Sequence, residues 1–247
     1  MRVFLLDSTY AGTGTYCLKK RDKVYLFRSL RLSSGDLFTA RDNDGSYYEA
    51  RIVDEDTISL TPVSRPDRSL TDTLSGFRGK IAPVCVYQGL CKGKKNEDIA
   101  RMLTEAGVLS ITFFTSEHTQ EKELNSHAAQ RITTIMKEAV QQSGSETAVR
   151  DVRVIPFTEA VREAEGRKII LHQSTLEESR YLSEILKDIE KGTLISLFIG
   201  SEGGFSDSEC SFAVQNGADA AIMPTNILRA ETAGIFALGA IENSLYS

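Results

Sequence analysis

The clearest pattern of hydrophobic positions lies at residues 193–199, where the run TLISLFI is short and almost wholly apolar. Such a run is typical of a strand that is buried on both faces of a parallel sheet. It ends at the glycine-dense turn GSEGG, residues 200–204. Ser206 and Glu209 then have the spacing of a helix capping box, and Gly217 is placed to end that helix. The pattern predicts a strand, a tight turn and a helix in that order.

A second strand end follows soon after the first. Residues 218–223 form another apolar run that stops at Pro224, and a further helix is predicted to begin near Leu228. In an open α/β sheet, ligands bind at the carboxyl ends of the strands. Two tight loops after successive strands therefore predict a binding site in this half of the chain.

Strand-like and helix-like patterns take turns over the whole segment from residue 80 onward, which predicts a mostly parallel sheet with helices on both faces. The other predicted strands of this segment are residues 81–87, 108–114, 152–155 and 169–171, and the predicted helices are 96–106, 126–142, 158–165 and 176–189.

The first 78 residues carry a different pattern, with short runs rich in aromatic and β-branched residues that predict a small β-rich domain, a barrel. A helix at residues 23–32 is predicted to turn Arg28 and Arg31 outward. With nearby lysines these arginines form the densest basic cluster of the chain, which suits either contact with RNA phosphates or an ordinary solvated helix face. Residues 61–79 are polar and predict a linker. The predicted strands are 3–6, 36–41, 47–53 and 58–63, with a turn at 42–45.

Composition narrows the class of protein. The 247 residues have a net charge of −5, so any role with nucleic acid depends on local patches. The first 80 residues carry 13 Lys and Arg against 11 Asp and Glu, and the rest carry 16 against 23. Four cysteines without CxxC spacing predict reduced thiols and no metal site, and no run approaches the roughly 20 apolar residues of a membrane span. A cytoplasmic protein is expected.

Three familiar glycine motifs are absent. The string that starts at Gly89 is one residue too short for a phosphate-binding loop, and Lys95 stands where a hydroxyl should hold magnesium. The turn 200–204 has the spacing G-x-x-G-G, which differs from the dinucleotide fingerprint. Ser201 directly follows Gly200, so the nucleophile motif of hydrolases is missing as well. A kinase, a dehydrogenase and a hydrolase are thereby disfavoured.

The two loops together have a specific likeness. IGSEGGFS at residues 199–206, followed by NILRAETA at 226–233, resembles the paired signature of the ribosomal RNA small subunit methyltransferase E family, in the SPOUT class of RNA methyltransferases. Shorter matches at Gln88, Lys92 and Lys95 extend the resemblance along the chain. Ser201 and His118 depart from it, because the family usually has proline and arginine there.

The resemblance implies an α/β protein in two domains. Residues 1–75 would form a PUA-like β-barrel that docks RNA, and residues 76–247 a SPOUT domain with a mostly parallel sheet and a C-terminal trefoil knot. The protein would be a homodimer that uses S-adenosylmethionine to methylate N3 of a uridine in 16S ribosomal RNA. Neither a metal nor a membrane is implied.

The resemblance also implies roles for particular residues. Arg229 is the candidate catalytic group, since its charge could stabilise the uridine carbonyls once N3 loses its proton. The alternative for Arg229 is an ion pair with Glu202 or Glu231 that braces the loops. The residues expected to contact RNA are Lys23, Arg28, Arg31, Lys92 and Lys95. The residues expected to hold the cofactor are Leu171, Ile199, Gly200, Ser201, Glu202, Gly203, Gly204, Met223, Ile227, Leu228, Thr232 and Ala233.

Two other functions stay open at this point. One is an RNA-binding or ribosome assembly factor that keeps the fold and lacks turnover. The other is a methyltransferase of the same class that acts on another RNA.

Overall fold

The computed structural model describes residues 3–7, 10–42, 45–64, 82–150, 152–173 and 179–246. Two compact units divide the chain: Met1–Ser75 with Val140–Gly144, and Gly76–Ala139 with Ser145–Ser247. The junction between residues 75 and 76 falls outside the described residues. The domain boundary expected there therefore stays a prediction.

The first unit is built on a five-stranded sheet with the order β1-β3-β4-β5-β2. Strands β1 and β3 are parallel, and the other neighbours are antiparallel. Since β1 and β2 form the two edges, the predicted β-rich barrel is present as an open, barrel-like sheet. One face packs on a core that includes Phe4, Leu26 and Ile58. The strands are β1 (Val3–Leu5), β2 (Thr15–Cys17), β3 (Leu37–Arg41), β4 (Tyr47–Ile52) and β5 (Thr57–Val63).

Two predictions for this unit need correction. Strand β2 is not predicted by the pattern, because it has only three residues and follows a glycine-rich segment. The linker is wrong at its start, because Thr61, Pro62 and Val63 complete β5 and pair with β4. Pro62 is tolerated there because β2 pairs with β5 only up to Ser59, which leaves this stretch at an edge of the sheet. Residues 65–79 of the linker and 43–44 of the predicted turn lie outside the described residues.

The predicted basic helix is present in two parts. An α-helix, α1 (Lys20–Lys23), continues as a π-helix over Val24–Ser29. Leu26 is fully buried, while Arg28 and Arg31 are exposed as predicted. Arg31 has a φ of 57°, in the left-handed region, so the helical stretch ends before the predicted residue 32.

The second unit is built on a seven-stranded sheet with the order β10-β12-β9-β11-β6-β7-β8. Every neighbouring pair in it is parallel, so the predicted parallel sheet is confirmed. The strands are β6 (Val84–Gly89), β7 (Ser110–Thr115), β8 (Val154–Pro156), β9 (Arg167–Leu171), β10 (Arg180–Tyr181), β11 (Ile195–Ile199) and β12 (Ala218–Ile222).

Strand β11 is buried at all five positions because helices cover both faces of the sheet. Ile195, Leu197 and Ile199 belong to a core shared with α2, α5 and α7, whereas Phe198 belongs to a second core shared with α4 and α6. The alternation of side chains along a strand thus divides its residues between two cores. The helices are α2 (Lys95–Ala106), α3 (Ser126–Ser143), α4 (Phe157–Glu163), α5 (Leu182–Ile185), α6 (Asp207–Gln215) and α7 (Ala230–Tyr246).

Within the described residues, the helix predicted at 176–189 begins only at Leu182. Arg180 and Tyr181 form β10, because they pair with Ala221 and Ile222 at the edge of the sheet. Helix α5 follows with four residues and continues as a 3-10 turn over Leu186–Asp188. The last helix begins at Ala230, two residues later than predicted. The C-terminal knot implied by the resemblance stays a prediction.

Candidate functional site

A cavity of about 320 Å³ lies at the carboxyl ends of β9, β11 and β12. Its volume is at the lower end of the range of about 300–1,000 Å³ typical of small-molecule sites. Strand β9 lies between β11 and β12, so three strand ends meet there, where the sequence pattern indicated two. The lining residues are Leu171, His172, Gln173, Ile199, Gly200, Ser201, Glu202, Gly203, Gly204, Phe205, Ala221, Met223, Thr225, Ile227, Leu228, Ala230 and Ala233.

The turn at residues 200–204, hereafter the glycine turn, folds back on itself directly after β11. Ser201 and Gly204 form an isolated antiparallel bridge, and Gly204 has a φ of 65°. A Cβ on Gly200 would lie 2.9 Å from the Cα of Gly204, which is too close for any side chain. Glycine is thus required at position 200 because the backbone of Gly204 lies so close, and at position 204 because that residue is left-handed.

The turn ends at the predicted capping box. The Ser206 hydroxyl accepts a hydrogen bond from the Glu209 N–H at 3.3 Å, and the Glu209 carboxylate accepts one from the Ser206 N–H at 3.0 Å. The predicted start of α6 is confirmed. This cap fixes where the chain leaves the cavity wall.

The end of β6 is pressed against the glycine turn. A Cβ on Gly89 would lie only 2.4 Å from the backbone nitrogen of Ser201. The fully buried side chain of Gln88 donates a hydrogen bond from Nε2 to the Gly200 carbonyl at 3.1 Å. Gly89 therefore allows the ends of two strands to pack closely. This role is unrelated to the likeness between the string that starts at Gly89 and a phosphate-binding loop.

Glu202 joins the turn to the segment that follows β6. Its Oε1 accepts hydrogen bonds from the Lys95 ammonium at 2.7 Å and from the Lys92 N–H at 3.1 Å. Partial burial opposes ionisation of Glu202, but these donors outweigh it and hold the pKa of the carboxyl below its usual range. Glu202 and Lys95 therefore form an ion pair at the rim of the cavity.

The loop after β7 holds the other side of the turn. His118 Nδ1 lies 3.0 Å from the Gly203 carbonyl oxygen, and a Cβ on Gly203 would lie 2.6 Å from the His118 Cβ. The Glu117 N–H donates to Glu209 Oε1 at 2.7 Å. The glycine turn is thus fixed between the ends of β6 and β7.

The segment between β12 and α7 forms the opposite wall of the cavity. Ile227 lines the cavity yet keeps 84% of its surface exposed. The Arg229 side chain is 83% exposed and lies 4.0 Å from Glu231, so the ion pair with Glu231 considered from the sequence is present only as a long contact. Glu202, the other acid considered for Arg229, pairs with Lys95 instead.

Eleven of the twelve residues expected to hold the cofactor line this one cavity. The exception is Thr232, which is exposed and is not among the lining residues, and Arg229 does not line the cavity either. Lys92 and Lys95 lie beside it, in the same unit. Lys23, Arg28 and Arg31 belong to the first unit, where Lys23 pairs with Asp56.

Sequence reasoning missed six of the lining residues: His172, Gln173, Phe205, Ala221, Thr225 and Ala230. His172 and Gln173 directly follow β9, so the position of Leu171 at that strand end was the signal that could have found them. Burial lowers the pKa of His172, which favours its neutral form, although Asp207 lies 3.8 Å away. Phe205 and Ala230 lie within the two signature strings, which were the signal that could have found them, whereas Ala221 and Thr225 belong to neither string.

Two further properties concern metal binding and membrane insertion. Within the described ranges, no group of three or more His, Cys, Asp or Glu side chains is arranged to hold a metal ion. Of the helices that the structure describes, none has the length and apolar character needed to cross a membrane.

Comparison with known proteins identifies relatives along nearly the whole chain. The RNA methyltransferase domain family matches residues 79–242. A ribosomal RNA small subunit methyltransferase E from Synechocystis is 30% identical over 224 residues, which cover 90% of this chain and 71% of that protein. A Bacillus subtilis protein of the same name is 25% identical over 240 residues and covers 92% of this chain and 90% of its own.

A solved structure shares the fold. It is described as a ribosomal RNA small subunit methyltransferase E from Neisseria gonorrhoeae bound to S-adenosyl methionine. It is 20% identical, with a TM-score of 0.75, and the match covers 99% of this chain and 98% of that one.

Proposed function

Since this chain belongs to the RNA methyltransferase family, among the ribosomal RNA small subunit methyltransferase E proteins, we propose that it methylates N3 of a uridine in 16S ribosomal RNA with S-adenosylmethionine. One observation carries the proposal. The glycine turn and the segment 223–233, which α6 and β12 separate along the chain, line a single cavity at the carboxyl edge of the parallel sheet.

The lining of the cavity suits S-adenosylmethionine. Leu171, Ile199 and Ala221 offer an apolar wall for the adenine ring. The glycine turn brings backbone N–H and C=O groups close to the ligand because three of its five residues have no side chain. When bound, the cofactor supplies a methyl group activated by its sulfonium. The eleven lining residues expected from the sequence would hold it, and Thr232 would support them from the start of α7.

Arg229 is the group we propose for the chemistry on the uridine. Its guanidinium is largely exposed, and among the described residues its ion pair is the long contact with Glu231 at 4.0 Å, so it is available to an incoming base. Loss of the N3 proton places negative charge on the flanking carbonyl oxygens of uracil. A guanidinium beside those oxygens stabilises that charge, and a fixed donor of this kind contributes about 10²–10³ in rate.

RNA binding is proposed to involve both units. Arg28 and Arg31 are exposed on the first unit, and the PUA-like domain of residues 1–75 is proposed to be part of that unit. Lys92 and Lys95 lie near the cavity in the expected SPOUT domain, residues 76–247. Long-range attraction to phosphates would come from these local patches, since the chain as a whole is acidic. A cytoplasmic location goes with a ribosomal substrate.

A homodimer is proposed because the resemblance to the family implies one. Ile227 and Phe236 expose 84% and 48% of their surfaces, and a subunit interface would cover such large apolar groups. The knot of the C-terminal segment belongs to this proposal as well.

Calorimetry with S-adenosylmethionine tests the cofactor. The account expects one molecule bound per chain with a dissociation constant well below millimolar. No binding at millimolar cofactor would end the enzyme proposal and leave an RNA-binding or assembly factor.

The nucleosides of 16S ribosomal RNA test the target. We expect N3-methyluridine to fall in cells that lack the gene and to return when the wild-type gene is restored. An unchanged level, with cofactor binding intact, would assign the enzyme to another RNA.

A further inference from the structure

Glu202 stands at the junction of two functional segments. It lines the cavity, and it also receives hydrogen bonds from two residues of the segment 91–95, which runs up to the first residue of α2 and is hereafter called the β6–α2 loop. The Lys95 ammonium lies 2.7 Å and the Lys92 N–H 3.1 Å from the same oxygen, Oε1. A single carboxylate therefore connects the glycine turn to this loop.

The two lysines of the loop differ in how their ammonium groups are used. Lys95 is held by Glu202, and that hydrogen bond raises the pKa of the ammonium, so both partners are charged at neutral pH. The Lys92 side chain is exposed, and among the described residues its ammonium has no partner. Of the two, Lys92 is the one available to a phosphate without first breaking an ion pair.

The contact with Lys95 adds to the contacts that hold the glycine turn in place. Three of its five residues are glycine, and a flexible loop that is ordered only on binding lowers affinity by the entropy it loses. Gln88 and His118 already hold Gly200 and Gly203. Of the two residues between them, Ser201 is held by its bridge to Gly204, and Glu202 is held by the Lys95 ammonium together with the Lys92 N–H.

We infer that Lys95 is a positioning residue of the cofactor site, which acts through Glu202 to hold the glycine turn, and that Lys92 is the phosphate contact of the β6–α2 loop. The inference rests on the proposed cofactor site and assigns Lys95 a role different from the RNA contact expected from its sequence motif. Charge-assisted hydrogen bonds are the stronger kind, so a single pair can preorganise a short turn.

Two matched substitutions in the full-length protein separate the roles. Affinity for S-adenosylhomocysteine is measured by calorimetry, and affinity for a 16S ribosomal RNA transcript at several salt concentrations. We expect Lys95→Gln to weaken cofactor-product affinity by about fivefold to tenfold and to leave the salt dependence of RNA binding unchanged. Lys92→Gln should do the reverse, with the salt slope smaller by about 0.7–0.9 and the affinity for S-adenosylhomocysteine unchanged.

Further variants test whether Lys95 acts through Glu202. Lys95→Arg keeps the charge and should bind S-adenosylhomocysteine with an affinity within about twofold of wild type. A loss of packing alone would not predict this result. The double variant with Lys95→Gln and Glu202→Gln should bind S-adenosylhomocysteine no more weakly than Glu202→Gln alone, because both substitutions remove the same interaction. Thermal melting checks that each variant is folded. If Lys95→Gln does not fold, the comparison of Lys95→Arg with the wild-type protein still stands.

Two results would overturn the inference. One is a Lys95→Gln protein with wild-type affinity for S-adenosylhomocysteine and a reduced salt slope, which would make Lys95 a phosphate contact. The other is additive losses in the double variant. Failure of the wild-type protein to bind S-adenosylhomocysteine would instead reject the proposed function, so the two failures are distinguishable.

Discussion

At the scale of single residues, the site depends on glycines whose reasons differ. Gly204 has a positive φ, whereas Gly89 and Gly203 are needed because another segment lies where a Cβ would be. The sequence indicates the first kind, since a dense glycine turn predicts left-handed residues. It cannot indicate the second kind, because the neighbours, Ser201 and His118, are distant in the chain.

Gly89→Ala should damage the cofactor site. The new methyl group would lie 2.4 Å from the Ser201 backbone nitrogen, so β6 and the glycine turn have to move apart. We expect affinity for S-adenosylmethionine to fall at least tenfold and the free energy of unfolding to fall by about 1–3 kcal/mol. Gly239→Ala is the control, because its Cβ meets nothing within 4 Å. Equal cofactor affinity in both variants, measured by calorimetry, would show that the close approach is unimportant for binding.

Arg229→Ala should separate binding from turnover. Arg229 does not line the cavity and its side chain is 83% exposed, so cofactor affinity and stability should stay near wild type. Loss of its charge beside the uracil carbonyls should lower kcat by about a hundredfold or more. Single-turnover methyl transfer to ribosomal RNA measures this. A wild-type rate would mean that Arg229 only braces the loop.

At the scale of elements, local signals predicted well and long-range partners did not. The Ser206–Glu209 capping box and the buried strand before it follow from spacing along the chain. The contact of Glu209 with the Glu117 N–H does not, since 92 positions separate them. The late start of the helix predicted at 176–189 has the same cause, because pairing of Arg180 and Tyr181 with β12 overrides the local helical pattern at those two residues.

Glu209→Ala tests the double role of this cap. The carboxylate accepts hydrogen bonds from the N–H groups of Ser206 and Glu117, at 3.0 Å and 2.7 Å. Its removal should lower the free energy of unfolding by about 1–3 kcal/mol in urea titrations. Ser208→Ala is the control, because its exposed hydroxyl bonds only the Ser206 hydroxyl, and it should change stability by less than about 0.5 kcal/mol. A Glu209→Ala protein as stable as the control would contradict this account of the turn.

At the scale of the whole molecule, the alternation of strands and helices predicted a parallel sheet and a ligand site at its carboxyl edge. It could not predict the strand order, which depends on pairings such as that of β9 with β12, in which Leu171 lies opposite Ala221, 50 positions later in the chain. That order places the end of β9 between the two predicted loops. The site therefore includes Leu171 and His172 as well as the two signature segments.

Hydrogen exchange with and without saturating S-adenosylhomocysteine tests the central claim most directly. The account predicts that amides of residues 199–205 and 223–233 become protected together when the ligand binds, because both segments enclose one cavity. Amides of β3, β4 and β5 in the first unit serve as the internal reference and should not change. Protection of only one segment, or of neither while calorimetry shows binding, would contradict the claim that the two segments form a single methyl-donor site.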